Sequence, residues 1–182
     1  MHPKLDFYWR QFEKLRADIC RELSALTPNQ FSQRLFENKW SVSELMAHLI
    51  TSERLSVRYL KKKMLGMETA GRTGWWADAK MVVLQISQRL PLKFKAPKRV
   101  VAETPSYQNV EVMLADWKAV RKEMETILET FSEKDIDKKI YRHIIAGRLN
   151  IVHAVRFLNE HILHHRPQLD RLLKKHQAVQ IK

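Results

Sequence analysis

Residues 150–175 read NIVHAVRFLNEHILHHRPQLDRLLKK, and the fold turns on how this stretch is read. At 100° per residue, Ile151, Val155, Leu158, Ile162, Leu169 and Leu172 fall on one stripe. That is the pattern of an amphipathic helix, expected from about Asn150 to Lys175. The step from Ile162 to Leu169 leaves one core slot open, and His165 fills it. His161 lies about 40° from His165, one turn earlier, and Gln168 continues the same row. His164 lies about 100° from His165, toward an edge. His161 and His165 can therefore converge on one point inside a helical core. Pro167 cannot donate to the carbonyl of Leu163 and crowds it, so a kink is expected within the histidine segment.

Working outward, three more segments carry one apolar stripe each. Tyr8, Phe12, Leu15, Ile19, Leu23 and Leu26 recur at helical spacing over about Lys4 to Ala25. Thr27-Pro28 then caps a short turn through Phe31 and Leu35. A second long helix opens at WSVSELMAHLITSERLSVRYL, where Ser41 and Glu44 form an S-x-x-E capping box. It is expected to fade near Gly66 and end before GRTG, residues 71–74. Between Asn109 and Phe131, the residues Val110, Met113, Trp117, Val120, Met124, Ile127 and Phe131 step by 3 and 4. Such a seam suits packing in a bundle.

A less periodic helix is expected over Trp75 to Leu90, followed by a basic, proline-punctuated loop, PLKFKAPKRVVAETP. Alternation typical of strands is almost absent, apart from Val100 to Ala102, and YRHIIAGRLN reads as irregular around Gly147. The expected fold is all-α: a four-helix bundle with long connections and short extra helices, forming one domain over residues 1–182.

Bulk composition narrows the function. The single cysteine, Cys20, forbids an internal disulfide and fits a reducing compartment. The N-terminus lacks the apolar stretch of a signal peptide, and no apolar run approaches the ~18 residues of a membrane span. A cytoplasmic protein without a membrane partner is expected. The formal charge of +13 attracts anionic partners. Yet the basic residues are spread along the chain, with small clusters at Lys61, Lys62, Lys63 and at Lys93, Lys95, Lys98, Arg99. No helix-turn-helix, zinc-finger or RNA-recognition signature accompanies them. The plain reading is a solvated surface, with nucleic-acid binding second.

His48, on the second long helix, lines up with Leu45, Ser52 and Tyr59 beside the apolar stripe. An H-x-x-x-H pair on one helix is by itself a common accident. A third imidazole from a facing helix would give three histidines with an open position, the layout of a catalytic metal centre. Glu53 falls in the core stripe between Leu49 and Ser56. It reads as a general base, a metal ligand, a partner that orients a ligand, or simply the mate of a buried arginine. Trp75, Trp76 and the KFKAPKR loop read as pocket walls or, more simply for the tryptophans, as packing.

WSVSELMAHL together with GRLNIVHAVRFLNEHILHHRPQL resembles the DinB superfamily, which includes metal-dependent hydrolase-like and thiol-transferase-like bundle proteins. The resemblance covers most of the chain. It implies a four-helix bundle holding one divalent metal ion per chain (Zn, Ni, Fe or Mn) through three histidines, which map onto His48, His161 and His165. It also implies a small-molecule substrate, with low-molecular-weight thiols among those of the family, and frequent homodimers. It does not imply one reaction: activation of a thiol for transfer and of water for hydrolysis both stand. The alternative is a non-catalytic, stress-related bundle whose basic surface binds nucleic acid, with a structural or incidental metal. This chain departs from the family pattern in its high positive charge and in Ile144, where a proline is expected.

Overall fold

The structure is a computed structural model that describes residues 1–89 and 98–180. It is all-α apart from one short hairpin: among the described residues there are seven helices and a single two-stranded sheet. The helices are α1 (Pro3–Leu23), α2 (Pro28–Ser32), α3 (Val42–Met64), α4 (Trp75–Arg89), α5 (Lys98–Glu103), α6 (Val110–Glu129) and α7 (Ile151–Gln180). The strands are β1 (Tyr141–His143) and β2 (Gly147–Leu149).

Four long helices form the bundle. α7 packs on α1 and on α3, and α6 packs on the same two. Consecutive long helices α1 and α3 are thus diagonal neighbours, as are α6 and α7. Diagonal placement accounts for the long connections, because a short loop joins only adjacent helices. α4 covers the outside of α7, and α2 and α5 lie against α3. One continuous apolar cluster fills the interior, with Leu5, Phe12, Leu45, Leu49, Met113, Trp117, Met124, Val155, Leu158 and Ile162 among its members. Each stripe read from periodicity therefore faces the others. No described helix is long and apolar enough to cross a membrane.

Local chemistry sets the helix starts. The Ser41 hydroxyl accepts from the Glu44 amide at 3.2 Å, and the Glu44 carboxylate accepts from the Ser41 amide at 2.8 Å. This reciprocal cap fixes the start of α3, and with it the rotational phase of His48. Thr27 and Gln30 cap α2 in the same way. Asn150 starts α7 by accepting from the His153 amide at 2.9 Å. Helix α7 runs on through Pro167 to Gln180, five residues beyond the expected Lys175.

Three expectations need correction. Residues 98–103, read as part of the basic loop with a trace of strand-like alternation at 100–102, form helix α5, where Val100 is buried. The segment read as irregular is the hairpin, with Tyr141 opposite Leu149 and His143 opposite Gly147. Gly147 adopts φ +76°, a left-handed conformation that closes a three-residue loop at little steric cost. Trp75 and Trp76 are not core; they stack on each other at 3.9 Å and remain exposed. Lys93 and Lys95 of the basic loop lie outside the described residues.

Candidate metal centre

The bundle brings His48 of α3 together with His161 and His165 of α7. One ring nitrogen of each lies within 4.8 Å of the others. The three rings meet edge to face, with centroids 5.0–5.2 Å apart. His48 Nε2 and His161 Nε2 stand 3.3 Å apart. Tetrahedral coordination at metal–nitrogen distances of about 2.0–2.1 Å would place two ligand nitrogens about 3.3–3.4 Å from each other. The spacing fits two ligands of one ion better than a direct hydrogen bond, whose usual length is nearer 2.9–3.0 Å.

Electrostatics favours the same state. Burial, reinforced by the neighbouring His165 and His164, pushes His48 down to about 4. Burial also takes His165 to about 4, although its hydrogen bond with Gln168 opposes the shift. His161 is packed round by protein, though the residue as a whole is only half-buried, and its pKa falls well below the ordinary 6.5, through burial first and then His165, His48, His164 and His143. All three rings are therefore neutral at pH 7, with lone pairs free for a cation.

The surroundings orient the rings. His165 Nδ1 meets Gln168 Oε1 at 3.2 Å, so Nδ1 carries the proton and Nε2 is left as the donor atom toward the centre. Trp40 covers one side, 4.9 Å from the His48 ring and 6.3 Å from that of His165. Phe157, one turn before His161, stacks on it at 5.9 Å. His164 turns away, its Nδ1 donating to the Gln88 carbonyl at 2.6 Å. It is not part of the cluster, as its angular offset predicts.

Glu53 is placed elsewhere. Its carboxylate accepts from Arg121 Nε at 2.6 Å and Nη2 at 2.9 Å, and from Trp117 Nε1 at 3.0 Å. Arg121 also donates to the Phe12 carbonyl and to Glu13, and lies over the Phe12 ring. Of the readings open to Glu53, the structure displays the arginine pair.

Sequence reading passed over Trp40, Phe157 and His143. Trp40 heads the W-S-x-x-E motif, and Phe157 precedes His161 by four residues, so both carried a signal. His143 lies on the hairpin, against Phe157 at 4.4 Å, and nothing in its local sequence marks it. A shallow cleft of about 570 Å³ beside Phe36, Pro167 and Arg171 touches none of the three histidines and has no part in the centre.

A family model described as DinB superfamily matches residues 11–169. No curated protein and no solved structure matches the chain.

Proposed function

The chain belongs to the DinB superfamily, and from that premise we propose that it is a metal-dependent enzyme whose single divalent ion is bound by His48, His161 and His165. One observation carries the reading: three neutral imidazoles from two helices present nitrogens within 4.8 Å of one another, with no carboxylate in the group. Nitrogens of this kind suit Zn, Ni, Fe or Mn.

When bound, such an ion lowers the pKa of a coordinated thiol or water and polarises an electrophile. The residues of the chain set the conditions for that chemistry. Three neutral ligands add no negative charge, so the full positive charge of the ion faces the substrate and favours an anion. Gln168 holds His165 in the tautomer that binds. Trp40 and Phe157 supply apolar surfaces against His48 and His161, which lowers the local dielectric and strengthens every charge interaction at the centre. A thiolate is a soft ligand that suits Zn or Fe, and hydroxide can serve in the same place; the resemblance to thiol-transferase-like members of the superfamily makes transfer of a small thiol to an electrophile the favoured reaction and hydrolysis the second.

Elemental analysis of untagged protein should find about one divalent ion per chain. Loaded protein incubated with an epoxide or activated aromatic and a panel of small thiols should then form adducts seen by mass. The metal-free protein and His165→Ala serve as controls. Rates equal to the controls for every thiol, together with metal-dependent turnover of an ester or amide, would move the assignment to hydrolysis. Silence in both assays would remove the enzymatic reading.

A further inference from the structure

His143 lies outside the three-histidine cluster, yet its surroundings define one of its nitrogens closely. Nδ1 accepts from the backbone amides of Ile145 and Ala146, both at 3.2 Å. A nitrogen that accepts two N–H groups carries no proton, so the neutral ring bears its proton on Nε2. Burial alone pushes the pKa of the ring down to about 4, which keeps it neutral at pH 7.

Nε2–H has no partner among the described residues. It is also not sealed in: the unpartnered buried side-chain atoms are Thr51 Oγ1, Gln88 Oε1, His153 Nδ1, Arg156 Nε and His176 Nε2. The donor therefore opens to solvent. The ring stands against Phe157 at 4.4 Å, and Phe157 stacks on His161 at 5.9 Å. The order of side chains is a fixed N–H donor, an apolar ring, and the three-imidazole cluster.

We propose that His143 Nε2–H is a substrate-binding donor, and that with Phe157 it selects small thiols carrying an acceptor oxygen, such as a carboxylate, separated from the sulfur by an apolar stem. This rests on the function proposed above and names the substrate class of the same centre. The sulfur goes to the ion, the stem lies along Phe157, and the oxygen accepts from Nε2–H. The turn supplies the rigidity: two backbone amides fix the tautomer, so the donor needs no reorganisation when the ligand arrives.

The test uses cobalt-loaded full-length protein, with thiolate binding followed by visible absorption, so no turnover is required. The probes are a series of mercaptocarboxylates and alkanethiols of matched chain length, in about 0.5 M salt to screen the general positive charge of the surface. The best mercaptocarboxylate should bind about tenfold more tightly than its matched alkanethiol, as one hydrogen bond to a charged acceptor predicts. His143→Asn keeps an acceptor for the turn amides but is too short to place a donor beside Phe157. In that variant the ratio should fall to within about twofold while cobalt affinity is unchanged. A ratio that survives His143→Asn overturns the proposal. So does equal binding of both series to the parent, which leaves the metal assignment intact, whereas failure of every thiol to bind sinks the proposed function as well. Should the variant fold poorly, ring nitrogen NMR of the zinc-loaded parent decides. Nε2 must be the protonated nitrogen and must shift on adding the mercaptocarboxylate; protonation at Nδ1, or no shift, refutes the assignment.

Discussion

Helix α3 carries two titratable side chains into the interior, His48 and Glu53, and the fold treats them in opposite ways. Glu53 and Arg121 form a closed system. Arg121 spends donors on Glu53, Glu13 and the Phe12 carbonyl, and Trp117 adds a further bond to Glu53. The pair joins α1, α3 and α6. His48, His161 and His165 form an open one: their nitrogens approach one another, and among the described residues His48 Nε2 and His161 Nε2 meet only each other, at 3.3 Å. Both regions bury polar groups at a cost in solvation. In the first, protein partners repay that cost; in the second, the described protein partners do not, and a cation could. Burial of a polar side chain is therefore a weak guide to function, whereas unspent bonding capacity in a buried cluster is a strong one.

The largest expected effect lies in the closed region. Arg121→Ala leaves the Glu53 carboxylate buried without its cation, and should cost about 3–5 kcal/mol in urea unfolding. Metal bound per folded chain should not change. Glu53→Gln retains the shape and part of the bonding, so it should be milder and should likewise spare metal binding. A Glu53→Gln protein with full stability and no turnover would break the contrast and return Glu53 to the chemistry.

Next comes the open region. His48→Ala, His161→Ala and His165→Ala should each weaken metal binding by more than about 100-fold, beyond the 10–100-fold that loss of an outer partner costs. His164→Ala should change it less than about threefold, because that ring turns to the Gln88 carbonyl. Competition titrations with a chelator read both. Equal loss from His164→Ala would mean that the ligand set is wrong.

Acid should separate the regions further. Folded-state pKa values of His48, His143 and His165 lie near 4, against an ordinary 6.5. His161, His153 and His176 are also lowered, each chiefly by burial. The unfolded chain therefore takes up protons that the folded one refuses. Stability from keeping these rings neutral is complete above about pH 6.5 and is lost as the pH falls toward 4. The urea midpoint of metal-free protein should drop across that window, and a His48→Gln, His165→Gln double variant should flatten the drop. A parent midpoint that stays level from pH 7 to 4.5 would contradict the buried, neutral state of the cluster.

What could be read from the sequence follows the range of the forces involved. Caps act over three residues, so Ser41 with Glu44 and the Thr27 cap before Pro28 were legible, although Gln30 as the reciprocal partner of Thr27 was not read. Periodicity acts along a helix, so the phases of His48, His161, His164 and His165 were legible too. The partner of Glu53 was not, because Arg121 lies 68 residues away and periodicity says nothing about which helix faces which. The hairpin escaped because strands of three residues are too short to display alternation, and its order depends on Tyr141 packing near Tyr59 and Phe157. The sequence of α5 reads as loop, with only a trace of strand-like alternation at its β-branched Val100 and Val101, but burial of Val100 against the bundle outweighs a propensity difference below ~1 kcal/mol.

The smallest expected effect tests whether the open region is organised beyond its three rings. The hydrogen bond of Gln168 to the cluster is its 3.2 Å contact with His165 Nδ1. Removing it leaves the helix intact, since alanine favours helix at least as well as glutamine does. It also leaves all three Nε2 atoms in place. What it removes is the preference for the tautomer with Nδ1 protonated, so His165 must surrender a tautomeric equilibrium and some ring freedom when a cation arrives. Gln168→Ala should weaken metal binding by about tenfold, at the lower end for loss of an orienting partner, with little change in the stability of the metal-free protein. Gln168→Glu should recover that loss, because a carboxylate accepts from Nδ1–H more strongly than an amide does. If both variants bind metal as the parent does, His165 is oriented by packing against His48, His161 and Trp40 alone, and the hydrogen bond is incidental.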